Sequence, residues 1–504
     1  MLDVLTRRKR LLEAESAAAH HRLLYEFLAQ LLRHRTHQLD QLAREAALVK
    51  KWNTKWEFYR VLTIGSPPNE EEESFASGSA GNGDALAARW RRLAAHFDDF
   101  VQCYFAHRAD ELYFPGSGSA TPAVPPQSCG DQRAPESEPQ PITTNIPPNI
   151  PTSVVGTGEG FGGLEAFRED LAAFTRYRAL RPLATLSYCS DAINYSTIVS
   201  TIEFDKDDEF FAIAGVTKRI KVFEFEAVVR DAVDVHYPCA EMQCSHKISC
   251  VSWNAYHKHV LASSDYEGTV SVWDANTGVR TRSLQEHDKR CWSVHFNRAD
   301  VRLLASGSDD ARVKLWSLNA ERSVATLEAK FNVCCVRFNP KSSCHLAFGS
   351  ADHCVHYYDL RAPRAPLAVF KDHRKAVSYV KFVDARTLVS ASTDSQLKLW
   401  RVESPRCVRS FTGHTNEKNF VGLATDGRYV ACGSENNALY VYYAGLSRPL
   451  LAYRFDAVRG FLERERRDEE PAEFVSAVCW RRSQERPALL AANSQGTIKV
   501  LELV

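Results

Sequence analysis

The sequence predicts an all-β propeller of seven blades, preceded by an α-helical coiled coil and a partly disordered linker. Three observations carry that reading. Segments ending Ile-Lys-Val-Phe223, Val-Ser-Val-Trp273, Val-Lys-Leu-Trp316, Val-His-Tyr-Tyr358, Leu-Lys-Leu-Trp400, Leu-Tyr-Val-Tyr442 and Ile-Lys-Val-Leu501 recur at intervals of 50, 43, 42, 42, 42 and 59 residues. Residues 1–62 contain neither Pro nor Gly, while residues 115–152 hold 10 of the chain's 21 prolines.

The first 62 residues read as a long helix rich in Leu, Ala, Glu, Arg and Gln. Tyr25, Leu28, Leu32, Arg35, Leu39, Leu42, Ala46 and Val49 fall on a 3-4 seam, an apolar stripe that one helix does not bury alone. The seam predicts a homo- or hetero-oligomer through Leu28, Leu32, Leu39, Leu42 and Val49. The competing reading folds this helix back on its own domain. An acidic flexible break is expected over 63–83 and a second helix over 84–112, its stripe including Leu86, Trp90, Leu93, Phe97 and Phe100. A disordered Pro/Gly/Ser-rich linker follows over 113–163, then a short helix over 164–180.

Blades fill 181–504. A repeat near 42 residues with alternating strands and a terminal aromatic is the signature of four-stranded propeller blades. The last recognisable strand ends almost at Val504, so the outer strand of the seventh blade must come from about 181–189 and tie the ring shut. The long last interval is an inserted loop, Asp456 to Glu473.

Lys plus Arg number 63 against 62 Asp plus Glu. That balance gives no global field for nucleic acid, and no apolar run is long enough to cross a membrane. The 14 cysteines contain no CxxC pair, so no cysteine-ligated zinc site is expected, nor any other metal or cofactor. The remaining thiols read as buried ones of a reducing compartment.

Within the blades His246, His287, His373 and His414 precede the innermost strands. Asp310, Asp352 and Asp394 stand six residues before the terminal aromatic, with Glu267 and Asn436 in equivalent places, and Ser308, Ser350 and Ser392 two residues earlier. A Ser/His/Asp set suggests a hydrolase. Repetition argues otherwise, because a nucleophile is unique while a structural hydrogen-bond network recurs in each blade. These spacings resemble those of WD-repeat propellers. Beyond each His, Lys247, Arg290 and Lys375 share one face with Trp292, Tyr379 and Phe420, and Tyr266 reaches the same rim. Cations take carboxylates and aromatics enclose a small hydrophobe, so this mouth suits an acidic extended peptide with an apolar anchor.

Several segments are distinctive. They include Leu-Ala-Ser-Ser-Asp-Tyr-Glu-Gly-Thr-Val (261–270), Glu-His-Asp-Lys-Arg-Cys-Trp-Ser-Val (286–294), Thr-Asn-Glu-Lys-Asn-Phe-Val-Gly-Leu (415–423) and the terminus 494–504. Together they resemble the constitutive photomorphogenesis family of RING-type E3 ubiquitin ligases. The resemblance implies a substrate receptor for degron peptides, acidic with a Val-Pro anchor, in transcription factors and adaptor proteins. It implies binding residues Lys247, Tyr266, Arg290, Trp292, Tyr357, Asp359, Lys375, Glu417 and Phe420. Trp292 and Phe420 would hold the Val-Pro, and Lys247, Arg290 and Lys375 would meet the acidic stretch. It further implies ubiquitin ligase components as partners, proteasomal degradation of the targets, and residence in nucleus and cytoplasm. The family's RING zinc ligands are absent from this sequence, so ubiquitin transfer by this chain alone is not expected. The alternative is a non-catalytic WD-repeat scaffold without ubiquitin chemistry.

Overall fold

A computed structural model describes residues 6–10, 18, 20–36, 91–113, 162–188, 197–230, 233, 235–455, 473–482 and 487–504. The chain forms two compact units, Met1–Ala172 and Ala173–Val504.

In the first unit, residues 20–36 are helical, as are 91–95, Phe97–Tyr113 and the start of Gly162–Arg176. Leu23, Leu24, Phe27 and Leu31 are buried. Phe27 meets the rings of Phe97 at 5.4 Å, Phe100 at 6.3 Å, Tyr104 at 6.3 Å and Phe167 at 5.1 Å. The first helix thus buries a stripe adjacent to the predicted seam. On the seam itself Tyr25 is 74% exposed, Leu32 is 69% exposed and Leu28 is half-buried. The packing inside this unit accords with a helix folded back, and of the seam positions Tyr25 and Leu32 stay uncovered among the described residues. Leu39, Leu42 and Val49 lie outside the described residues.

The second unit carries the blades. Strands β2 (Val199–Phe204), β3 (Phe210–Gly215), β4 (Arg219–Glu224) and β5 (Ala240–Gln243) pair in that order, and six further four-stranded antiparallel sheets follow. In the seventh, the order is β1 (Leu180–Ser187), β28 (Thr497–Leu503), β27 (Ala488–Asn493) and β26 (Val475–Arg481). The N-terminal strand therefore closes the ring, with Leu186 opposite Ile498 and Arg181 opposite Glu502. The seven-bladed fold expected from the repeat is the fold observed.

Burial explains which sequences take which place. The innermost strand β6 (Ile248–Trp253) is buried throughout, whereas the outermost β9 (Val279–Gln285) buries only Leu284. A strand packed on both faces needs a continuous apolar run, and one at the rim needs only alternate positions. Between the second and third strand of each blade, one residue sits in the left-handed region. These are Lys218, Gly268, Ala311, His353, Ser395, Asn437 and Gly496. Each stands five residues before its blade's terminal position, so the turn repeats with the blade. At Gly268 (φ 85°) the demand is also steric, because a Cβ would lie 2.5 Å from the Lys289 carbonyl oxygen.

Two of the four expected histidines, His287 and His373, bond as a network, through different serines from those expected, whereas His414 Nδ1 lies 2.9 Å from the Tyr442 hydroxyl. His287 Nδ1 lies 2.7 Å from Asp310 and Nε2 lies 2.7 Å from Ser306, which also accepts from Trp316 Nε1 at 2.8 Å. His373, Asp394, Ser390 and Trp400 repeat the arrangement. The serine belongs four residues before the Asp, on the strand facing the Trp, where its side chain points between blades. Ser308 and Ser392 instead donate to the carbonyls of Lys289 and Lys375. Asp352 bonds His356, and Glu267 is exposed while Asp265 caps its turn.

Burial alone would raise Asp310, but its hydrogen bond to His287 and that residue's charge hold it below 3.8; His373 does the same for Asp394. A carboxyl lower in the folded state than in the unfolded one stabilises above its unfolded value, and that stability is lost as pH falls through the folded one. The unfolding free energy of Asp310→Asn is therefore expected to trail the wild type at pH 7, with the gap closing below about pH 4. Urea titrations across pH check this, and a gap constant down to pH 3 would contradict it.

Candidate functional site

The beginnings of the inner strands define one mouth of the channel. Lys247 immediately precedes β6, and its carbonyl accepts the Tyr266 N–H at 3.0 Å. Arg290 immediately precedes β10 (Cys291–Phe296), its carbonyl accepting from Asp309 at 3.0 Å. Lys375 stands two residues before β18 (Val377–Phe382). All three cations are exposed and none has a carboxylate within 4.0 Å among the described residues.

Aromatic rings line the channel just inside them. Tyr266 and Trp292 lie 5.4 Å apart, Trp292 and Phe420 are edge-on at 4.9 Å, and Phe420 meets Tyr379 edge-on at 5.8 Å. The Arg290 guanidinium stacks over Tyr266 at 5.6 Å. These four aromatics border a cavity of about 230 Å³, whose floor includes Ser249, Cys250 and Cys335. Burial pushes the phenols of Tyr266 and Tyr379 above their usual range, so both remain neutral donors. The rings leave space of a size for a small hydrophobe, and the rim above offers three cations with no carboxylate within 4.0 Å among the described residues.

Two residues that the motifs did not single out hold this geometry. Asp309 accepts Trp292 Nε1 at 2.7 Å and Asn332 at 2.9 Å, fixing the indole. Glu435 accepts the backbone N–H groups of Glu417, Lys418 and Asn419 at 2.8–2.9 Å. Burial raises its carboxyl, yet these bonds outweigh burial and hold it low. Glu435 thus pins the loop that presents Glu417 and Phe420. Its place, opposite that loop in the same blade, is set by pairing and carries no local signal.

Seven of the nine expected residues gather here: Lys247, Tyr266, Arg290, Trp292, Lys375, Glu417 and Phe420. Tyr357 and Asp359 do not. Both lie at the end of β16 (Cys354–Asp359), where Asp359 opposes His345 and binds Arg361 Nη2 at 2.6 Å, and Tyr357 stacks on His345 at 5.6 Å. The third strand of a blade runs away from the mouth, so its last residues emerge at the other end of the ring.

No zinc-ligand set was expected in the chain. In the first unit Cys103, His107 and Asp170 nonetheless place ligand atoms within 4.8 Å of one another. Asp170 accepts from Cys103 at 3.0 Å and lies 2.7 Å from His107 Nε2, contacts that hydrogen bonding alone explains.

Seven four-stranded blades, two of them carrying the same His–Asp–Ser–Trp bonds, define a WD-repeat β-propeller protein. Comparison with known proteins agrees. Residues 235–448 match the family of nucleolar protein 10-like N-terminal domains. The chain belongs to the WD-repeat family that includes the E3 ubiquitin-protein ligase COP1. It is 52% identical over 347 residues to that ligase from Pisum sativum, covering 68% of this chain and 51% of the relative. It is 44% identical over 440 residues to the Arabidopsis thaliana ligase, covering 87% of this chain and 60% of the relative. The WD repeat-containing protein RUP2 of Arabidopsis thaliana is 34% identical over 328 residues, with 60% of this chain and 88% of RUP2 aligned. The chain therefore spans between half and two thirds of the two ligases it matches.

Proposed function

We propose that this chain is the substrate-recognition part of a RING-type E3 ubiquitin ligase, capturing acidic Val-Pro degron peptides for ubiquitination and proteasomal degradation. The observation that carries this reading is the pairing of unpaired cations Lys247, Arg290 and Lys375 with the Tyr266–Trp292–Phe420–Tyr379 enclosure at one mouth. A proline ring stacks well on aromatics, valine fills the remaining apolar space, and Asp or Glu side chains reach the rim. A RING-bearing partner would supply the conjugating-enzyme contact, and the uncovered Tyr25 and Leu32, with half-buried Leu28 between them, suit its recruitment by helix pairing.

Calorimetric titration of the full chain with an acidic Val-Pro peptide tests the reading. Binding is expected to weaken with rising salt, since exposed charges are screened. Replacing the peptide's acids by neutral amides should remove most of that salt dependence. A peptide with Val-Pro changed to Ala-Ala should not bind. Equal affinity for all three peptides would overturn the proposal and leave a general scaffold as the better reading.

A further inference from the structure

Two cavities with shared lining lie along the propeller channel, the mouth described above and another of about 520 Å³ toward its far end. Glu203, Arg337 and Lys381 line both, and so occupy the waist between them. Arg337 is only 8% exposed, and its Nε has no hydrogen-bond partner. Among the described residues no ion pair joins Glu203, Arg337 or Lys381 to any opposite charge. His295 and Arg482 line the far cavity beside them. The Phe338 N–H donates to His295 Nδ1 at 3.1 Å, which leaves the ring proton on Nε2 as a donor.

A buried guanidinium with its Nε unbonded is costly, even where the Cys335 side chain and the Glu203 carboxyl favour its charge. Arg337 and Lys381 outnumber the one carboxylate at the waist, although burial and the Arg337 charge lower the Lys381 ammonium, and Arg482 adds a further cation. Acids on the far rim are mostly engaged: Asp205 Oδ1 caps Glu209 and Phe210 while its Oδ2, without a hydrogen bond, lies 3.7 Å from Lys258 Nζ, Asp208 binds the Arg482 N–H, and Asp426 caps Arg428 and Tyr429. Burial pushes Glu203 up toward its neutral, donating form. Burial, reinforced by Arg337 and Lys381, pushes His295 well down and keeps it neutral.

We propose that this waist is a binding site for a small oxyanion of the phosphate class, clamped by Arg337 and Lys381, with His295 and Arg482 as further donors. A planar guanidinium, an ammonium and an imidazole N–H present convergent donors that suit several oxygens on one centre better than a lone halide. The site adjoins the inner end of the aromatic cavity, which the same three residues line, but it does not depend on the ligase reading.

The test is thermal unfolding and calorimetry of the full chain with inorganic phosphate, and in parallel with glycerol 3-phosphate, against sodium chloride at matched ionic strength. Saturable stabilisation above the chloride control is expected. Inorganic phosphate sufficing identifies the free ion as ligand, and a response to the ester alone identifies a phosphorylated small molecule. Arg337→Met and Lys381→Met should each weaken binding by at least about tenfold, the loss of one charge-assisted bond. Should Arg337→Met not fold, Lys381→Met and broadening of the phosphorus resonance by the wild type decide. Stabilisation no greater than chloride's for both ligands, or an undiminished response in folded Lys381→Met, would overturn the proposal.

Discussion

Trp292→Ala is expected to weaken binding of the acidic Val-Pro peptide by about 2 kcal/mol or more, roughly thirtyfold, while the propeller stays folded. The indole touches Tyr266 at 5.4 Å and Phe420 at 4.9 Å, and its N–H is held by Asp309. Removing it opens one wall of the enclosure, so the peptide's apolar pair loses its contact and admits water. The half-buried ring contributes little to the cores between blades, so thermal unfolding should hardly change. Arg290→Ala should act more weakly and chiefly at low salt, because its charge is exposed and screened. Asp359→Asn supplies the contrast. It stands at the other end of β16, and peptide affinity should be unaltered. Calorimetry on these three variants separates the mouth from the rest of the ring. An unchanged dissociation constant for Trp292→Ala would end the assignment.

The blades were legible because their period is written in residues that local physics requires: buried apolar alternation and a terminal aromatic every 42 residues. The closing strand was legible by deficit, since the seventh repeat lacked a fourth strand. Less visible were features that depend on pairing register. Ser306 and Ser308 are indistinguishable by type, and only their alternation on β11 (Leu303–Ser308) decides which one meets His287. The left-handed turn residues escaped notice because Lys218, Ala311 and Ser395 are not the residues such turns favour, and each tolerates a strain that the flanking strands impose. At the mouth, cations and aromatics following each His could be read from equivalence between blades. Tyr357 and Asp359 came only from resemblance, and strand direction carries them to the opposite end. The Arg337–Lys381–Glu203 waist was hidden because lysine or arginine on an inner strand reads as an ordinary charged position until seven blades converge on it.

Closure of the ring makes the second large prediction. Leu186→Asp in the full chain should lower stability by about 4 kcal/mol or more, by removing a buried side chain and placing an unpaired carboxylate in its place. Leu186 is 3% exposed and packs in one cluster with Val199, Leu490, Ile498 and Val500, which spans the junction of the first and last blades. Losing β1 would also expose the whole edge of β28, whose unpaired N–H and C=O groups then template association between chains. Thermal melts should therefore shift downward and end in aggregation visible by light scattering. Thr185→Asp is the matched control. It lies on the exposed face of the same strand beside Lys499 Nζ at 2.9 Å, so a carboxylate there gains a partner, and stability should stay within about 0.5 kcal/mol of wild type. Were the two variants to melt alike, the N-terminal strand would not be what holds the propeller shut.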